Sequence, residues 1–242
     1  MSGQLRGART QLRVWVAATV ALLVLAAPAF AKLAPMSVPE LPETIALFPL
    51  PNVAALPFQE LPLRVFEPRY RQMLEDVLAG NRVVGLVQIQ PGFEAEYEGR
   101  PPLFGIGCAA IVVRAERENN GEFSIVVRAF TKFRIEAEAS GKPYRLARVV
   151  PIPELATDED REALHAERPL LEAALAASLG SPNGSVQLPP MSDEDLVSVL
   201  TMQLDLDTVD RQLLIERPGV LARARALIEL LQKQADATAP AR

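Results

Sequence analysis

Eight of the chain's 21 prolines fall between Pro35 and Pro68, and that density constrains the fold more than any other feature. Proline has no N–H to give a helix and clashes with the turn before it, so this stretch suits only extended or sheet-edge structure. Two short apolar runs lie among the prolines, Ile45–Leu50 and Leu61–Phe66, and both read as strands. The period then changes. Tyr70, Met73, Leu74, Val77 and Leu78 recur at helical spacing. Pro68 suits the first turn of that helix and Gly80 the position just past its end.

Five further strands follow, at Val83–Ile89, Ile106–Ala115, Phe123–Ala129, Phe133–Ala137 and Tyr144–Val150. Asn119-Asn120-Gly121 is a hairpin signal between two of them. A polar loop from Pro91 to Pro102 carries Glu94, Glu96 and Glu98. Antiparallel pairing, closed or nearly closed, is expected, because an open sheet would leave its edges bare. From Thr157 the period is helical to the end. Thr157 and Ser192 precede acidic first turns, as N-caps do. Pro169 is expected to break or kink the first helical stretch, and Ser181-Pro182-Asn183-Gly184 to form a loop. The organisation is α+β: a β-rich domain with one inserted helix over 43–153, a helical subdomain over 154–235 and a disordered tail over 236–242.

The first segment reads as an address. Arg6, Arg9 and Arg13 precede an uncharged apolar stretch, Val14 to Ala27, which is shorter than the roughly 20 residues a spanning helix needs. Pro28 and Ala29-Phe30-Ala31 complete the pattern of a secretory signal peptide cleaved before Lys32. The alternative is a membrane anchor over residues 14–31. Residues 32–42 form a Pro-rich leader, and the protein is expected to be exported, periplasmic or extracellular. Without residues 1–31 the chain has 22 basic against 30 acidic residues, a net charge of −8. That balance opposes the coating of nucleic-acid phosphates.

Catalytic patterns are missing one after another. There is no phosphate loop, no G-x-S-x-G elbow and no H-E-x-x-H pair. The fragment Gly105-Ile106-Gly107 lacks the third glycine of a dinucleotide fingerprint. One cysteine and one histidine cannot build a Cys/His zinc site or an internal disulfide. His165 lies among Glu162 and Glu167 and reads as a solvated side chain, while Cys108 lies in an apolar strand and reads as a buried one. Neither a metal nor a cofactor is expected.

Several segments together resemble the N-terminal substrate-binding domain of the Lon proteases. They are Phe48-Pro49-Leu50, then Leu61-Pro62-Leu63-Arg64-Val65-Phe66-Glu67-Pro68-Arg69-Tyr70 running into the helix, and Gly105 to Ile111. Lys132-Phe133-Arg134-Ile135 and Tyr144 to Val149 continue the resemblance, which covers roughly Glu43 to Gln234. It implies a PUA-like antiparallel β-barrel followed by helices, and a role in recognising unfolded or tagged polypeptides. It also implies a stand-alone form, since no ATPase or Ser-Lys protease unit follows in this sequence. Three positions depart from the family pattern: Ala129 and Phe58 stand where glycine is usual, and Arg64 where histidine is frequent. Phe58 and Ala129 imply locally altered turns.

The residues of these blocks have a structural reading first. Glu67 and Arg69 pair to hold the strand-to-helix corner, and Phe48, Pro49, Leu61, Pro62, Leu63, Phe66, Tyr70 and Phe133 build the frame, with Leu61, Leu63, Phe66 and Phe133 in the core. Peptide contacts are expected from loop aromatics, namely Phe58, Phe93, Tyr97 and Phe104. The leading reading is a non-enzymatic module that captures unfolded or partner polypeptides by apolar, sheet-edge contacts, with a separate protease as one candidate partner. The alternatives are a PUA-like nucleic-acid-binding protein and a carboxylate-dependent hydrolase with two acids facing across a cleft.

Overall fold

The computed structural model describes residues 39–51, 53–154, 156–181 and 185–238. The expected signal segment, most of the leader, residues 182–184 of the expected loop and the last four residues lie outside the described residues. The described part contains six strands and five helices, an α+β arrangement. The strands are β1 (Thr44–Leu50), β2 (Glu60–Val65), β3 (Val83–Gln88), β4 (Ile106–Arg117), β5 (Phe123–Ala139) and β6 (Arg145–Ile152). Helix α1 (Pro68–Ala79) follows β2, and α2 (Asp158–Ser178), α3 (Asp193–Gln203), α4 (Thr208–Glu216) and α5 (Gly219–Thr238) follow β6.

The sheet order is β2-β5-β4-β3-β1-β6, and β6 pairs back onto β5, so five of the strands form a ring with β2 outside it. Two expectations need correction. First, β1 and β3 pair in parallel, Ala46 against Val84 and Phe48 against Leu86, whereas antiparallel pairing was expected throughout. The connection between them includes β2 and α1 and is long enough for the crossover that parallel neighbours need. Second, Phe123–Ala129 and Phe133–Ala137 are one strand of 17 residues. Its register skips Phe130 against β4 and Glu136 against β6, while β4 skips Val113. Each extra residue bends and twists the strand. β5 can therefore pair with β2 and β4 early and with β4 and β6 late.

Alternate residues feed two apolar clusters. Ala46, Phe48, Val84, Leu86, Val112 and Val127 pack with Tyr70, Met73, Leu74 and Val77 of α1. Ile45, Leu47, Val83, Val87, Ala109 and Phe133 make the second. Phe133 lies so close over β3 and β4 that two glycines are required. A Cβ on Gly107 would stand 2.4 Å from the Leu86 carbonyl oxygen and 2.9 Å from the Phe133 ring, and one on Gly85 2.9 Å from that ring. The Gly107 of the incomplete fingerprint is thus a packing residue.

Helix α1 begins with Pro68 in its first turn and stops at Gly80, whose N–H donates to the Val77 carbonyl. The second helical group closes around Leu164, Leu171, Leu175, Leu196, Leu200, Leu227 and Leu231. Thr157 and Asp160 form a reciprocal capping box at α2, and Ser192 accepts from the Asp195 N–H at α3. Helix α2 continues unbroken through Pro169, against expectation. Pro169 and His165 are both exposed, so the carbonyl that the proline leaves unpaired faces water. Burial of Leu164, Leu171 and Leu175 on the other side holds the helix together.

Candidate functional site

The strand β2 has one neighbour, β5, and its side chains alternate. Leu61, Leu63 and Val65 turn to the core, while Glu60, Pro62 and Arg64 are exposed, and Phe66 just beyond the strand is 55% exposed. The expectation of a core Phe66 is therefore corrected, because the two-residue period places it with Pro62 and Arg64. Register carries this outer face across the sheet. Pro62 lies opposite Val126, and Val126 opposite Arg114 beside the extra residue Val113. Glu60 lies opposite Arg128, and Arg128 opposite Ile111. The half-buried Val126, Val113 and Ile111 and the exposed Pro62 make a shallow apolar strip. Ion pairs border it: Arg128–Glu60 at 2.5 Å, Arg64–Glu122 at 2.7 Å and Arg114–Glu116 at 2.5 Å.

Phe58 stands at the start of this face and is 74% exposed. Its φ is 71°, in the left-handed region that bulky residues avoid. The turn survives because the sheet clamps it. The Phe58 N–H donates to the Ala129 carbonyl at 2.8 Å, and the Ala129 N–H donates to the Gln59 carbonyl at 2.8 Å. The Leu56 N–H donates to Gln59 Oε1 at 3.1 Å, and Leu56 is buried against Ile215 of α4. The turn is not altered to suit Phe58; Phe58 adopts the glycine-type conformation itself, and Ala129 lies within β5 and not in a turn. Such a residue costs about 1–2 kcal/mol relative to a relaxed backbone.

The loop with the other expected contact residues is pinned at the far end of β2. Arg69 donates from Nε to Glu67 Oε2 at 2.9 Å, from Nη1 to the Gly99 carbonyl at 2.7 Å and from Nη2 to the Tyr97 carbonyl at 2.5 Å. The Glu67–Arg69 pair thus holds the corner as expected. Tyr97 is half-buried behind it, with its ring 6.2 Å from that of Tyr70, which in turn contacts Phe48 at 4.9 Å. Burial and the nearby Glu67 carboxylate raise the Tyr97 hydroxyl well above its usual range, and burial pushes Tyr70 up to about 12. Phe93 and Phe104 are half-buried. The six residues of β2, roughly 20 Å of strand, separate Phe58 from this corner. The four expected aromatics are therefore not one cluster: Phe58 and Phe66 mark the two ends of the exposed strand, Tyr97 supports the Phe66 end through Arg69, and Phe104 donates its N–H to the Gln88 carbonyl at the end of β3.

Other candidates fall away from this face. Cys108 is buried, its thiol pushed up to about 12 by burial, and it faces the Thr131 carbonyl. His165 is exposed, with Nδ1 2.9 Å from Asp193 Oδ2. A hollow between α2 and α3 contains Glu167 and Asp193, but each is ion-paired, to Arg225 and Arg168 respectively, so it is not the facing pair a hydrolase needs. Among the described residues no group of three His, Cys, Asp or Glu side chains could hold a metal ion. One cluster was not foreseen. Lys132 and Arg223, both buried, converge on Oε1 of Glu154 where the sheet meets α4 and α5. Burial lowers the Lys132 ammonium's pKa, and Glu154 partly restores it. The only sign of this in the sequence is a lysine between Phe130 and Phe133 in an apolar strand.

Residues 44–233 match the family model of the ATP-dependent protease La (LON) substrate-binding domain, and the chain belongs to that family. Its relatives include Lon protease 2 of Sorangium cellulosum, 27% identical over 199 residues, and a Lon protease of Roseiflexus castenholzii, 28% identical over 213 residues. These alignments cover 79% and 81% of this chain but 25% of each relative, so the chain spans about a quarter of the length of the curated relatives it matches. The fold is similar to the N-terminal domain of a Mycobacterium avium complex Lon protease, with a TM-score of 0.56 at 21% identity over 78% of this chain and 97% of that one. A Lon N-terminal domain protein from Xanthomonas campestris gives 0.52 at 18% identity, over 77% and 97%.

Proposed function

We propose that this chain is a non-enzymatic polypeptide-binding module, and that the outer face of β2, β5 and β4 captures unfolded or partner segments with Phe58 as its projecting anchor. The observation that carries this reading is Phe58 itself, an aromatic held three-quarters exposed in a strained conformation by two hydrogen bonds between its turn and Ala129 of β5. Strain retained around an exposed apolar side chain is a mark of a functional position. Membership of a substrate-binding family supports the same reading.

Contact is through the face more than the edge. Pro62 sits in the middle of β2 and has no N–H to offer an added strand, and a proline in a strand turns its nitrogen outward. The apolar strip then recognises side chains, and the bordering ion pairs are already satisfied, which favours apolar segments over nucleic acid. We read the ring of strands as a PUA-like barrel that carries this face. With residues 1–31 read as a secretory signal, the captured polypeptides lie outside the cytoplasm, and a separate protease is a candidate partner. Fluorescence anisotropy with reduced, carboxymethylated α-lactalbumin tests the proposal. Saturable binding in the micromolar range that Phe58→Ala weakens about tenfold supports it. No saturable binding, or a Phe58→Ala variant that binds as the parent does, defeats it.

A further inference from the structure

We infer that Lys132 is a positioning residue that couples the seating of the helical group on the sheet to the presentation of Phe58. The inference rests on the proposed binding role of Phe58 and adds how that position is controlled.

Lys132 is fully buried in β5 and reaches three acceptors: the Ile215 carbonyl at 3.0 Å, the Arg217 carbonyl at 2.7 Å and Glu154 Oε1 at 2.7 Å. Arg223 of α5 donates to the same Glu154 oxygen and, from Nε, to the Leu214 carbonyl at 3.2 Å. One carboxylate thus faces two buried cations. The surplus positive charge is met by carbonyls at the C-terminal end of α4, where a helix is partially negative. The cluster therefore holds α4 and α5 to the sheet through two buried cations and a carboxylate that is mostly buried.

Phe58 shares both sides of this junction. Ala129, whose N–H and carbonyl clamp the Phe58 turn, lies three residues before Lys132 on β5. On the other side, Ile215 covers Ala54 and Leu56, the residues that lead into the turn. Gln212 of α4 adds a hydrogen bond to the Ile106 carbonyl of β4 at 3.0 Å. If α4 lifts, Leu56 loses its cover and the strained turn loses one of its two supports, so Phe58 relaxes. Polypeptide binding and the seating of the helices then rise and fall together.

Amide hydrogen exchange on the full chain reads this coupling directly. Lys132→Met keeps most of the length of the side chain and removes its charge and its three donors. Exchange over 54–59 and over 208–217 is expected to rise together by at least about tenfold, while Val84 and Leu86 of β3 stay protected. Affinity for reduced, carboxymethylated α-lactalbumin is expected to fall by about tenfold in parallel. Lys132→Arg, which keeps a cation, recovers part of both. Should Lys132→Met fail to fold, Glu154→Gln, which removes the carboxylate shared by Lys132 and Arg223 and leaves Ile215 over Leu56, must produce the same paired rise. A rise over 208–217 that leaves 54–59 unchanged, in whichever variant folds, overturns the inference. If the parent chain does not bind the probe, the proposed function fails, and the exchange data still decide the coupling.

Discussion

Replacing Phe58 with glycine should make the protein more stable and less able to bind. Phe58 has a φ of 71° and is mostly exposed, so its side chain contributes little burial to set against its backbone strain. Relief of the left-handed conformation is worth about 1–2 kcal/mol. Glycine returns about 0.5–1 kcal/mol of this through the extra freedom of the unfolded chain. The net gain is roughly 0.5–1 kcal/mol, which in a domain of this size raises Tm by about 1–4 °C. Phe58→Ala is the control, since it deletes the ring and keeps the strain. Urea unfolding followed by circular dichroism should rank glycine above alanine by about 1 kcal/mol, and both variants should lose affinity for unfolded α-lactalbumin. A glycine variant no more stable than the alanine one would show that the turn is not strained. A glycine variant that binds like the parent would show that the ring is not the anchor.

Two further outcomes test the frame. Gly107→Ala should destabilise the fold by about 2–3 kcal/mol in urea unfolding, because the new Cβ would stand 2.4 Å from a backbone oxygen. Gly105→Ala, where a Cβ meets nothing, should change stability by less than about 0.5 kcal/mol. For pH, burial alone would raise the pKa of Glu138, but hydrogen bonds from Arg145 and Arg100 outweigh it and the net shift is downward. A lowered carboxylate pKa adds stability that is fully present above about pH 4.3 and is lost as pH falls through the lowered value. Glu138→Gln should therefore lower Tm near neutrality and flatten its fall between about pH 5 and pH 3; a parallel curve would exclude this contribution.

The elements that could be read from sequence are those whose signals are local. Pro68 and Gly80 bracket α1 because each acts on its own turn, and Thr157 and Ser192 cap their helices for the same reason. The apolar character of its motif makes Phe66 read as core, although the alternation from Leu61 puts it outward, where it is found. Phe130 hid the continuity of β5, because one extra residue interrupts the alternation on which a strand is recognised. The parallel pairing of β1 and β3 depends on where a crossover lands, which neither strand encodes. Phe58 was legible as an exposed loop aromatic, but its left-handed backbone is imposed by Ala129 across the sheet. The Lys132 cluster was out of reach for the same reason, since Lys132 meets the Ile215 carbonyl 83 residues away.

The central claim is that polypeptide is captured at the Phe58 face. Site-specific photo-cross-linking is the most direct measurement, with a benzophenone amino acid placed at 58 or, as a control of similar exposure and apolar character, at Leu170 on α2. Reduced, carboxymethylated α-lactalbumin should cross-link from position 58, in competition with unlabelled probe, and not from position 170. Cross-linking from 170 alone, or equally from both positions, would contradict the account.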